Sequence, residues 1–124
     1  MTAADPLAPT VRELFSRLEH AGALDPADAH VQSGEAGREA LGTRVRFELR
    51  VAEGRLRAVR YRAYGCPYTL ATCEWLARSL EGQCSDTPGV GTPLDWARQL
   101  QIPAAKLGRL LVIEDALRAA LTRP

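Results

Sequence analysis

From Arg44 to Val51 the chain alternates strictly, with Val45, Phe47, Leu49 and Val51 apolar and Arg44, Arg46, Glu48 and Arg50 charged. A period of two over this length predicts a strand with one buried face. Glu53-Gly54 follows as a turn pair, and a second strand continues to Tyr64. In that strand Leu56 is out of phase with Val59, Tyr61 and Ala63, which predicts a bulge around Arg57-Ala58. The stretch 43–64 therefore reads as a β-hairpin with one arginine-studded face.

Helical spacing flanks the hairpin on both sides. Thr10 is placed to cap a helix running to about Gly22, with Val11, Leu14, Phe15 and Leu18 as its apolar stripe. Residues 23–42 are rich in small and acidic residues and read mostly as loop, with a short edge strand near His30. After the hairpin, Pro67 suits the first turn of a helix whose stripe is Leu70, Cys73, Ala77 and Leu80 and which ends near Gly82. A Gly/Pro-rich loop runs from Cys84 to Gly91, and Thr92 caps a short helix through Trp96 and Leu100. Pro103 opens a last helix with Leu107, Leu110, Ile113, Leu117 and Ala120 facing inward. The expected fold is α+β: a small antiparallel sheet, made of the hairpin plus an edge strand, with helices packed on one face. Residues 1–8 read as a flexible leader and 9–124 as one domain.

Composition changes this picture little. The chain has 124 residues, is 46% hydrophobic and 25% charged, and carries a net charge of +1. That balance gives no global argument for nucleic acid or for a membrane surface. The opening residues lack the basic and apolar regions of a signal peptide, and no run approaches the ~20 apolar residues of a membrane span. The expected compartment is a reducing cytoplasm with free thiols. The basic residues are fifteen arginines and a single lysine, Lys106. Arg44, Arg46, Arg50, Arg60 and Arg62 would share the exposed sheet face, where cross-strand salt bridges to acidic neighbours are the leading expectation. Trp75 and Trp96 read as packing residues, and His20 and His30 as solvent-facing.

The three cysteines, Cys66, Cys73 and Cys84, match no tight metal or redox spacing. Cys66 stands where the second strand ends and a helix begins, at the positive end of a helix dipole, which favours the thiolate. Cys73 lies seven residues further on the same helical face, roughly 10 Å along the axis at ~1.5 Å per residue, too far for a disulfide. Its apolar stripe makes it a buried, inert thiol, while Cys84 reads as a surface cysteine.

The order of these elements and several motifs within them resemble the iron–sulfur cluster assembly scaffolds of the IscU / NifU amino-terminal type. Tyr64-Gly65-Cys66 matches the Gly-Cys helix start of that family, and Ala71-Thr72-Cys73 and Leu80-Glu81-Gly82 match the helix behind it. Lys106 and the run Glu114-Asp115-Ala116-Leu117-Arg118-Ala119-Ala120 match its last helix. The resemblance covers about residues 10–122. It implies a role in cluster biogenesis, iron or iron–sulfur cluster binding, and a cysteine desulfurase or other assembly protein as partner.

The resemblance also implies a ligand set of three cysteines, and this chain keeps one, Cys66. The first cysteine and its neighbouring aspartate are replaced by Leu41 and Thr43, and the third falls at Gly108-Arg109. The Pro-Pro-Val-Lys motif of the family reads Pro103-Ala104-Ala105-Lys106. Because an iron–sulfur cluster takes four ligands, one chain is not expected to hold a stable cluster. His30, Glu35 and Glu39 are the candidates for substitute ligands. Arg109 is expected to lie near Cys66 and to lower its pKa. The leading expectation is a non-enzymatic, degenerate scaffold that acts as an accessory or sulfur-accepting partner through Cys66. The alternatives are a thiol-dependent redox enzyme using Cys66, and a non-catalytic interaction module with a basic sheet face.

Overall fold

The computed structural model describes residues 7–122. Among them the order is α1 (Pro9–Ser16), β1 (Val31–Arg38), β2 (Thr43–Ala52), β3 (Arg55–Tyr64), α2 (Pro67–Leu80), α3 (Pro93–Leu100) and α4 (Leu107–Leu121). Single 3-10 turns occupy Glu39–Leu41 and Ala104–Lys106. The strands form one antiparallel sheet in the order β1-β2-β3, and helices cover one of its faces, α4 over β1 and β2 and α2 against β3. The α+β expectation holds. Residues 1–6, most of the expected leader, lie outside the described residues. No helix among the described residues is long and apolar enough to cross a membrane.

The hairpin forms as its pattern predicts. Val45, Phe47 and Leu49 are fully buried and Val51 nearly so, facing Leu56, Val59 and Tyr61 across the pair. Glu53 and Gly54 both have positive φ, 55° and 72°, the backbone that a tight two-residue hairpin turn requires. Arg50 pairs with Ala58 and Val51 with Leu56, so Arg57 is the extra residue of the expected bulge.

Three expectations need correction. The first helix ends at Ser16 rather than near Gly22, and Thr10 does not cap it; Ala8 is the capping residue, without a side-chain hydrogen bond. Side chains of α2 take up the backbone beyond its end: the Arg17 carbonyl accepts from the Arg78 guanidinium, and the His20 N–H donates to the Glu74 carboxylate at 3.0 Å. Chain 20–22 then runs beside β3, with the Tyr61 N–H donating to His20 and the Gly22 N–H donating to Tyr61.

The edge strand is eight residues long, not a short piece near His30. Its sequence hides it because its inward positions are small: a Cβ on Gly34 would lie 2.1 Å from the Ala120 nitrogen and 2.7 Å from the Ala116 oxygen. The backbone of α4 rests directly on this strand, and Gln32 donates to the Ala120 carbonyl at 2.8 Å to fix the same contact.

His20 is not solvent-facing. Its Nδ1 lies 2.7 Å from Glu74 and its Nε2 3.0 Å from Glu81. His30 is exposed, as expected, and Trp96 is buried, with its indole N–H donating to the Val90 carbonyl.

Candidate functional site

Cys66 is the N-cap residue of α2, in extended backbone, with Pro67 opening the helix behind it. The side chain is half-buried against the core. No ordinary capping hydrogen bond closes on the sulfur, but Thr69 Oγ1 lies 3.7 Å from it. Burial pushes the thiol up; the Thr69 amide and hydroxyl, the Tyr68 amide and the charge of Lys106 outweigh it, and the net shift is below the ordinary value of 9.0. This is helix-terminus electrostatics acting on one atom. Gly65 keeps the corner tight, because a Cβ there would meet the Thr69 side chain at 2.9 Å.

The cation among the main influences on Cys66 is Lys106, where Arg109 is the expectation from the sequence. Lys106 ends the 3-10 turn before α4 and also sits 5.8 Å from the Tyr68 ring centroid, a cation–π distance. The clue was in the sequence: the chain's one lysine lies in the motif that leads into the last helix.

Leu41, Thr43, Gly108 and Arg109, scattered in sequence, do come together. They line one recess of ≈ 170 Å³ with Arg38 and Ala105, between the turn before β2 and the first turn of α4. Thr43 is 4% exposed and its hydroxyl has no hydrogen-bond partner; the Arg109 Nε is also buried without one. This donor set does not fit a metal or cluster. Leu41 offers no ligand, and Thr43 and Arg109 present a hydroxyl and a fixed cation. Among the described residues no group of three or more His, Cys, Asp or Glu is placed to hold a metal ion. Glu35 and Glu39, candidates for substitution, bind arginine instead: Arg44 pairs with both and Arg46 with Glu35.

The arginine face is a lattice of ion pairs. Arg50 meets Asp28 at 2.9 Å, Arg60 meets Glu81 at 3.0 Å, and Arg46 and Arg62 share Glu48. Part of the face is covered by residues 22–30, whose Leu24 N–H donates to Glu48 at 2.7 Å. Burial raises Glu48, but that amide and the two arginines hold its carboxyl below the usual range. The face is charge-balanced rather than an open basic surface.

Cys73 is fully buried, and desolvation, with the neighbouring Glu74 charge, pushes its thiol far up, as an inert core cysteine should be. Cys84 is exposed; all three thiols are free. Of the histidines that a thiol enzyme would recruit, His20 is held between two carboxylates, and His30 is an exposed residue at the entry to β1.

Sequence reasoning missed Glu74, a carboxylate with no exposed surface inside α2. Its oxygens accept from the His20 backbone N–H, His20 Nδ1, the Tyr61 hydroxyl and Arg78 Nε, at 2.7–3.0 Å. A charge in the middle of an apolar helix stripe was the available signal.

The chain matches the family model of the NifU-like N terminal domain over residues 8–123. It is 29% identical over 112 residues to the iron-sulfur cluster assembly enzyme IscU of Drosophila melanogaster, covering 90% of this chain and 73% of that one. It is 28% identical over 108 residues to the iron-sulfur cluster assembly scaffold protein IscU of Escherichia coli K12, covering 86% and 84%. Among solved structures it superposes on a candidate SUF-system scaffold from Fervidobacterium islandicum AW-1 with a TM-score of 0.71 at 12% identity, covering 93% and 96%. It also superposes on a NifU-like amino-terminal protein of Brucella abortus with a TM-score of 0.60 at 15% identity, covering 91% and 92%. At those identities the structural likeness establishes the fold.

Proposed function

The chain belongs to the NifU-like N-terminal domain family, and from that premise we propose that it serves iron–sulfur cluster assembly as a sulfur-accepting accessory partner rather than as a scaffold that holds a cluster. One observation carries this reading: Cys66 has the environment of a thiolate, while the positions that would supply its co-ligands hold Leu41, Thr43 and Arg109. A single thiolate is a poor cluster site and a competent nucleophile.

The reaction is thiol exchange at sulfur. The Cys66 thiolate attacks the outer sulfur of a persulfide carried by a cysteine desulfurase. A new S–S bond forms on Cys66, the old one breaks, and the desulfurase cysteine leaves as a thiolate. No net oxidation occurs. The Thr69 and Tyr68 amides and Lys106 hold the attacking charge beforehand, and the same groups stabilise the Cys66 persulfide anion afterwards.

Anaerobic incubation with ferrous iron and sulfide tests the negative half of the proposal. The expected outcome is a spectrum without sulfur-to-iron charge-transfer bands. A stoichiometric cluster that disappears in Cys66→Ser would overturn it.

A further inference from the structure

The recess between Leu41 and Arg109 has properties that sulfur acceptance at Cys66 does not use. Eleven arginine–carboxylate pairs occur among the described residues, and neither Arg38 nor Arg109 belongs to one. Neither guanidinium donates a side-chain hydrogen bond among those residues, a state that Arg17 and Arg98 share elsewhere on the surface, whereas Arg44, Arg46, Arg50, Arg60, Arg62 and Arg78 are all bonded. Two uncompensated cations line one hollow.

The hollow's polar wall is incomplete in the same sense. The Thr43 hydroxyl, on a residue 96% buried by its 4% exposure, has no partner, and neither has the buried Arg109 Nε. Orphaned buried polar atoms are rare, because each leaves a desolvated group without compensation. Both ask for a partner that accepts: the arginine nitrogen only donates, and the hydroxyl can donate. Ala105, Gly108 and Arg109 also place the recess at the start of the fifteen-residue α4, the positive end of that helix. A Cβ at Gly108 would meet nothing within 4 Å, so the space over this first turn is open.

We propose that this recess is an oxyanion site, taking a small phosphate-class anion between Arg38, Arg109 and the Thr43 hydroxyl at the amino end of α4. A tetrahedral anion presents several acceptor oxygens to this donor-lined wall and supplies the negative charge that the two arginines lack. The volume of ≈ 170 Å³ is ample for the anion or for the phosphoryl group of a larger ligand. The positions that a cluster scaffold would use for soft, anionic ligands have become a hard, cationic cradle. Cys66 is not among the residues that line the recess, and occupancy by an anion does not require the sulfur-accepting role.

Amide NMR spectra of the full chain, titrated with inorganic phosphate at an ionic strength held constant with chloride, test this. Saturable shifts at Gly37, Thr43 and Gly108 are expected, with affinity about tenfold weaker in Arg109→Met, as loss of one charge-assisted contact implies. Arg38→Met, on an exposed side chain, should weaken binding while keeping the fold, so a misfolded Arg109 variant does not spare the proposal. Cys66→Ser should bind phosphate as the parent does. O-phosphoserine as a second probe separates the sources: a tighter response assigns the site to a phosphoryl group on a larger ligand, and a response to free phosphate alone assigns it to the ion. Absence of saturable shifts with both probes, or unchanged affinity in both arginine variants, overturns the site.

Discussion

Nδ1 of His20 lies 2.7 Å from Oε2 of Glu74, joining two residues 54 positions apart in the chain. Glu74 is fully buried, and its remaining contacts tie the chain after α1, the middle of α2 and the Tyr61 hydroxyl of β3 into one network. Removing one member of a buried, fully paired network costs about 3–5 kcal/mol. Glu74→Ala should therefore lower the unfolding free energy by that amount in urea titrations. A loss below about 1 kcal/mol would show that the network does not act as described.

The same carboxylate sets an acid limit. Burial raises its pKa, but the His20 amide, the Arg78 and His20 side chains and the Tyr61 hydroxyl outweigh this and place the folded-state value below 4.5. A depressed carboxyl stabilises the fold fully above its unfolded value, and that contribution is lost as pH falls through the folded one. Urea midpoints measured from roughly pH 6 down to roughly pH 3 should fall more steeply in the parent than in Glu74→Gln, which has no carboxyl to protonate. Parallel curves would contradict this assignment.

Two glycines of the α4 interface should respond in opposite directions to alanine. At Gly34 a methyl would collide with the backbone of α4 at Ala116, Ala119 and Ala120, which cannot swing aside as a flexible side chain does. Gly34→Ala should cost at least about 2 kcal/mol. Gly108, in the first turn of α4 with open space around it, should gain up to about 1 kcal/mol from the higher helix propensity of alanine. Thermal unfolding of both variants checks the pair, and equal effects would refute the packing described.

Lys106, rather than Arg109, should control the reactivity of Cys66. In Lys106→Met the pH midpoint of Cys66 alkylation should move up, because a charge that favours the thiolate is gone. Thr69→Val should move it the same way, and Arg109→Met should move it less than either. A larger response to Arg109→Met than to Lys106→Met would reverse the assignment.

The hairpin, its bulge and the helix start at Cys66 were legible because each is written locally: alternation in Val45–Val51, the phase slip at Leu56, and the Gly-Cys-Pro junction. Strand β1 was legible only in part, because Gly34 and Gly37 serve the approach of α4, a demand that local pattern does not express. Glu74 was missed and His20 misplaced for a related reason: a buried charge is specified by its partners, and those sit in three different elements. At the site, resemblance located four of the eight positions that line the recess, Leu41, Thr43, Gly108 and Arg109. Spacing along α4 could not say which cation faces Cys66, since Lys106 and Arg109 lie one helical turn apart.

Sulfur acceptance by Cys66 is the step on which its proposed role depends. Its most direct test is intact-protein mass spectrometry after anaerobic incubation with a cysteine desulfurase and free cysteine, followed by mapping of the modified peptide. One added sulfur atom on Cys66, absent in Cys66→Ser and formed more slowly in Lys106→Met, is the predicted result. An unmodified Cys66 under conditions that load a cluster-forming scaffold with sulfur would contradict the account.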